Sequence, residues 1–317
     1  MRRHSYHRLS PTSAALIASV WLTGTNAIVV PSVKNMRPVI PGKLYRSATL
    51  DELSIEDAQA LLSGKAFGAS SEPLAAVIDL RNKDEIQKGL KERTEGSELF
   101  YNSSSSSSSS LENCNFVHIP FLEDVNEFWE EAIRRMDGKE RMMASLNTVF
   151  QGGALDRAAA RNLEKGGHAM LNTMIMQVGR ERIGRALEIC MIESQRGPVI
   201  FHCQKGKDRT GVLGMLIQSI LQSSEDEIVK AYALSGELLG ESEGMRTAND
   251  KVKESTSGLI DWAFFRGSPT EGMVGTLEWT KASYGTVESY LEQNAGFSVS
   301  QQRSFREQLD PIQLPSK

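Results

Sequence analysis

The chain has 317 residues, 40% of them hydrophobic, with a formal net charge of −4, enough apolar material for one large domain or two small ones. Its 36 Lys and Arg against 40 Asp and Glu exclude the basic signature of a nucleic-acid binder, and no apolar run is long enough to predict a transmembrane span. Three cysteines, Cys114, Cys190 and Cys203, are too few for a disulfide framework in a chain of this length, which leaves room for a reactive free thiol at a reducing site of action.

Taken in chain order, residues 1–36 read as a targeting or disordered segment. They hold no acid, and the first in the chain is Asp51. A basic start, MRRHSYHR, leads into apolar Ala14–Leu22 and small residues around Ala27. That pattern fits a signal or organelle transit peptide, with a cytoplasmic location as the alternative. Residues 37–311 are expected to form the folded domain, with 312–317 a tail. Ser54–Leu62 predicts a helix. LAAVIDLR, Leu74–Arg81, is a compact apolar run ending in charge, the pattern of a buried strand. An insertion over about residues 97–113 follows, centred on the unbroken serines Ser103–Ser110, which cannot bury apolar surface. Asn115–Phe121 and Pro198–Cys203 predict further strands; Asn126–Arg135 and Asn172–Glu193 predict helices between them. Thr210–Leu221, apolar nearly all round, predicts a buried helix. Alternating strands and helices argue for an α/β fold, a mainly parallel central sheet flanked by helices.

The segment that carries chemistry is HCQKGKDRTG, His202 to Gly211. A cysteine with an arginine six positions on is a weak signal alone, because Cys190 and Arg196 share it within a helical run that has no glycine between them. Cys203 instead ends a strand just before a helix. A helix N-terminus aimed at the loop favours bound anions and an ionised thiolate. Gly206 lets the loop turn tightly and bring amides toward an anion. Arg209 offers a planar fork to two phosphate oxygens, and Thr210 places a hydroxyl near the sulfur. These parts suit in-line attack of a Cys203 thiolate on phosphorus, a covalent phosphocysteine and its hydrolysis, with no metal or cofactor. Against this stand a structural thiol in a basic loop, a phosphate-recognition module without turnover, and a loop-cysteine arsenate reductase or sulfurtransferase.

The decapeptide resembles the phosphate loop HCxxGKDRTG of the atypical tyrosine/lipid phosphatases related to mycobacterial protein tyrosine phosphatase B (tyrosine-protein phosphatase family 3). GKLYRSATL (Gly42–Leu50), VIDLR (Val77–Arg81) and YGTVESYL (Tyr284–Leu291) resemble further segments of that family in the same order, so the likeness runs from Pro38 to Leu309. The serine run departs from the pattern. The resemblance implies a cysteine-phosphatase fold, often with helical lid segments. Asn126–Arg135 and residues 155–190 could supply these, although their pattern fits plain packing equally. It implies Cys203 as nucleophile and Arg209 as phosphate clamp, with Gln204, Lys205, Gly206, Lys207 and Thr210 as substrate-binding residues. For the general acid, Asp208 and Asp79 rank together and Asp124 third. Arg46 either reaches the site or pairs with a core carboxylate, and His202 orders the loop by hydrogen bonding. The implied substrate is a phosphoprotein (phosphotyrosine, with phosphoserine or phosphothreonine beside it), a phosphoinositide, or both. Lys205 and Lys207 favour the latter, since extra phosphates reward extra cations.

Overall fold

The computed structural model describes residues 30–102, 114–150, 152–241, 260 and 265–309. The targeting segment up to residue 29 and the serine run lie outside them. Five short strands form one sheet: β1 (Arg37–Ile40), β2 (Leu44–Ser47), β3 (Ala76–Asp79), β4 (Asn115–His118) and β5 (Val199–His202). The helices, in chain order, are α1 (Ile55–Leu62), α2 (Lys83–Gly89), α3 (Glu95–Asn102), α4 (Val125–Arg134), α5 (Gly138–Phe150), α6 (Ala154–Val178), α7 (Arg180–Glu193), α8 (Asp208–Ile220), α9 (Glu225–Leu238), α10 (Thr270–Tyr284), α11 (Val287–Gln293) and α12 (Val299–Leu309).

The sheet order is β1-β2-β5-β3-β4. β5 lies between β2 and β3 and runs parallel to both, β4 is parallel to β3, and only β1 is antiparallel. The result is the expected α/β architecture with a mainly parallel sheet. Strand alternation separates two cores. Val199 and Phe201 of β5 and Ala76 and Ile78 of β3 face a large helical layer that includes α6, α7 and α8. Ile200, Val77 and Tyr45 face a smaller one built from α1, α3, Val30 and Val33. Register places Ser47, His202, Asp79 and His118 side by side along the carboxyl edge of the sheet, where ligands collect in α/β folds.

Several boundaries differ from the sequence expectation for local reasons. The apolar run 74–81 pairs only over Ala76–Asp79. The single helix expected over Asn172–Glu193 is two, because α6 starts at Ala154 and breaks at Gly179 before α7. Residues 97–102, assigned to the insertion, belong to α3, which buries Ser97 and Phe100. At the other end, Val30, Val33 and Asn35 are buried, so packed structure reaches into the segment assigned to the leader. α6 packs on α4, α5 and α10. Among the described residues no helix is long and apolar enough to cross a membrane.

Candidate active site

The loop from Cys203 to Lys207 joins β5 to α8 at the carboxyl edge of the sheet. α8 begins at Asp208, two residues earlier than expected, so Arg209 and Thr210 sit in its first turn with the helix N-terminus at the loop. Cys203 is a free thiol, 2% exposed, at the loop's start. Its sulfur interacts electrostatically with both Arg46 and Arg209. The other two cysteines lie in different surroundings: burial pushes the Cys190 and Cys114 thiols up to about 12, which keeps both protonated.

Three loop carbonyls are bonded to a layer beneath the loop. Thr49 N donates to Gln204 O at 3.1 Å. Asn35 Nδ2 donates to Lys205 O at 2.9 Å and to Gly206 O at 3.0 Å. Arg46 Nη2 donates to Gly206 O at 2.8 Å. In a trans peptide the following N–H points opposite to the carbonyl, so the amides of Lys205, Gly206 and Lys207 point away from this supporting layer. None of the three donates to an acceptor among the described residues. Gly206 is at φ +66°, and a side chain there would run into the Ser47 carbonyl, so this turn requires glycine. Among the described residues Arg46 pairs with no carboxylate; it lies buried under the loop. Gly211 and Gly214 of α8 leave room for its guanidinium: a Cβ on either would come within 3.5 Å of it. Burial lowers the Arg46 pKa to about 10, with Cys203, Tyr232 and Asp208 working against the drop.

Arg209 is held as a two-pronged clamp: Nη1 and Nη2 donate to the two carboxyl oxygens of Glu85 at 2.5 and 2.6 Å. Burial works against the guanidinium charge, and Glu85 more than offsets it, raising the Arg209 pKa. Glu85 also forms a capping box with Asn82 at the start of α2, so one carboxylate starts a helix and orients the arginine. Neither it nor Asn35 emerged from the sequence, although Asn82-x-x-Glu85 directly after the DLR strand is a legible capping signal.

Asp79 is engaged elsewhere. Arg81, fully buried, donates Nε to Asp79 Oδ1 at 3.0 Å and Nη2 to Oδ2 at 2.7 Å. It also reaches Thr49, Asp51 and, at 3.5 Å, Gln204 Oε1. Burial disfavours the carboxylate, yet the nearby His202 ring and the Arg81 guanidinium hold Asp79 at about 2. It is therefore a fixed anion and a poor proton donor. Because the folded pKa lies below the unfolded value of about 3.9, its stabilisation is present above pH ~4 and lost as pH falls through 2. Asp79→Asn is expected to remove about 2 kcal/mol of stability at pH 7 and much less at pH 2, measured by urea denaturation at both. Equal losses at both would overturn this assignment. His202 is buried, which lowers its pKa below the usual imidazole range; its Nδ1 lies 3.3 Å from Cys203 O.

The two loop lysines part company. Lys207 is 1% exposed, and its Nζ donates to the carbonyls of Phe265 and, at 2.7 Å, Gly267. It also lies 3.5 Å from His168 Nε2 on α6. This places it in the interior, not at the solvent face where an extra phosphate would meet it. Lys205 is exposed and pairs with Glu241 at 2.5 Å. Asp208 Oδ1 is buried and forms an ion pair with Lys207 Nζ at 3.5 Å; among the described residues neither it nor the buried Thr210 Oγ1 has a hydrogen-bond partner. Asp124 is an exposed N-cap of α4, accepting from Asn126 N at 2.7 Å. Among the described residues no group of three or more His, Cys, Asp and Glu side chains is placed to hold a metal ion.

The model of the tyrosine phosphatase family matches residues 30–310. A tyrosine-protein phosphatase from Nostoc commune is 31% identical to this chain over 107 residues, which is 31% of this chain and 34% of that protein. The chain thus spans about a third of the length of the curated relative it matches.

Proposed function

The chain belongs to the tyrosine phosphatase family, and from that premise we propose that it hydrolyses phosphomonoesters through a phosphocysteine on Cys203, with phosphotyrosine in proteins as the leading substrate class. The observation that supports this most is the shared direction of the loop. Three carbonyls bond backward to Thr49, Asn35 and Arg46, which leaves three amides and the Glu85-fixed Arg209 for a phosphoryl group over the Cys203 sulfur. Donors fixed before the reaction need no reorganisation as charge spreads over the equatorial oxygens. A cysteine only 2% exposed is better reached by a phosphate on a phenol ring than by one on the short arm of serine or threonine.

The Cys203 thiolate attacks phosphorus in line, and the leaving phenolate takes a proton from Asp208. Water then attacks the phosphocysteine, giving its proton to Asp208 and restoring the thiolate. Thr210, whose hydroxyl has no hydrogen-bond partner among the described residues, donates to the sulfur. We assign the acid role to Asp208 because it sits at the loop itself with a single, longer ion pair to Lys207 at 3.5 Å, whereas Asp79 is bonded to Arg81 through both oxygens and Asp124 caps α4. Asp208→Asn is expected to lower kcat/KM on phenyl phosphate, which reports the phosphocysteine-forming step, by about 10²- to 10³-fold. The loss on para-nitrophenyl phosphate, whose leaving group needs little protonation, should be far smaller. An equal loss on both esters would reduce Asp208 to a structural residue, and a selective loss in Asp124→Asn would move the acid there.

Phosphoinositides remain a second reading because the Lys205 side chain is half exposed beside the loop. The buried Lys207 no longer supports it.

A further inference from the structure

Each cation of the loop has a partner: Arg209 has Glu85, Lys207 has the Phe265 and Gly267 carbonyls and the Asp208 carboxylate, and Lys205 has Glu241. The last pair is the informative one. A carboxylate next to an anion-binding loop opposes the loop's own field, and this one is firmly placed. Glu241 follows α9, its backbone N donates to Gly236 O at 2.8 Å, and its Oε2 accepts from Gly267 N at 3.0 Å. Its side chain is 15% exposed, against 50% for Lys205. Lys205 therefore comes to a fixed Glu241. Burial pushes the Glu241 carboxyl up, but Lys205 and the Gly267 amide hold it below the usual carboxylate range, so it stays charged near neutral pH.

We propose that Glu241 is a specificity-determining residue: by occupying Lys205 and fixing a negative charge beside the loop, it admits monophosphate esters and disfavours headgroups that carry a second phosphate. The proposal rests on the phosphoester reading above and deepens it. Lys205 is the loop lysine with solvent access, so a second phosphate would have to take it from Glu241 and then lie beside the released carboxylate.

The test compares dioctanoyl phosphatidylinositol monophosphate with the bisphosphate of the same chains, so that contributions of the lipid tail cancel, and uses para-nitrophenyl phosphate as the control. Glu241→Gln removes the charge and keeps a carbonyl oxygen for Gly267 N. Relative to wild type it is expected to lower the KM of the bisphosphate against the monophosphate by about three- to tenfold. The double variant Lys205→Met/Glu241→Gln should lose that gain, and Glu241→Asp, which keeps the charge, should show wild-type selectivity. The proposal is overturned if the two KM values move together in Glu241→Gln, if the ratio does not change, or if the gain survives without Lys205. Wild-type protein inactive on para-nitrophenyl phosphate would instead sink the phosphatase reading. Equilibrium binding of the soluble mono- and bisphosphorylated inositol headgroups to the same variants would still report the ratio.

Discussion

Cys203→Ser is expected to abolish turnover of phosphotyrosine peptide and para-nitrophenyl phosphate, by about 10⁴- to 10⁶-fold, while the protein still binds the peptide. In the proposed mechanism the sulfur is the atom that bonds to phosphorus, and a serine hydroxyl in its place is far less acidic than a thiol and stays protonated. The loop itself should persist. Its conformation is held by Gly206 at φ +66° and by the donors of Asn35, Thr49 and Arg46, none of which bonds the sulfur. Binding without turnover is thus the expected signature, and acid quenching of the wild-type reaction should trap phosphate on Cys203. Cys190→Ala serves as the contrast: that thiol is fully buried in α7 with its pKa pushed up to about 12, and its loss should leave turnover near wild type. Appreciable hydrolysis by Cys203→Ser, or a trapped phosphate on another residue, would end the proposed mechanism. Binding with no turnover in the wild-type protein would identify a recognition module instead.

The part of this site legible in the sequence is the part encoded locally. HCQKGKDRTG is one continuous stretch between a strand and a helix, so its order alone predicts an anion loop at a helix N-terminus, and residues 203–207 do join β5 to α8 at the carboxyl edge of the sheet. The strands were legible because β3 and β5 are buried on both faces and read as unbroken apolar runs. β1 and β2 are not legible because each includes an arginine, and the burial of Arg46 depends on space that Gly211 and Gly214 provide 165 and more positions away. The same distance hides the supporting layer. Asn35 meets Lys205 and Gly206 across 170 residues, and Glu85 meets Arg209 across 124. Nothing local marks an asparagine as a loop brace. Lys207 is the instructive reversal. By composition it is one more cation for a polyphosphate, but its neighbours in space are two backbone carbonyls in a buried pocket. Asp79 reverses in the same way: a carboxyl at a strand end suits an acid, until Arg81 two positions on folds back and holds its charge.

Arg209→Lys is expected to lower kcat by about 10³-fold, a larger effect than its conserved charge suggests. Glu85 grips the two terminal nitrogens of Arg209 at 2.5 and 2.6 Å, which fixes the plane of the guanidinium and leaves the edge made by Nε–H and one Nη–H as a second two-donor fork. Lysine offers a single ammonium that can pair with Glu85 or with phosphate but cannot present a planar fork to both. Arg209→Ala should do more, because it leaves the Glu85 carboxylate without its counter-ion in surroundings where its side chain is only 23% exposed. A loss of stability on the order of 2 kcal/mol should then accompany the loss of activity. Glu85→Gln in that background should restore most of the stability and none of the activity, since the uncompensated charge is gone while the clamp remains absent. This separates the two roles of the pair: Glu85 acts on the arginine, and the arginine acts on the phosphoryl group. A double-mutant cycle read by urea denaturation and by single-turnover kinetics checks both. Arg209→Lys with kcat within a few-fold of wild type would mean that the loop amides alone hold the transition state, and the clamp assigned to Arg209 would have to be given up.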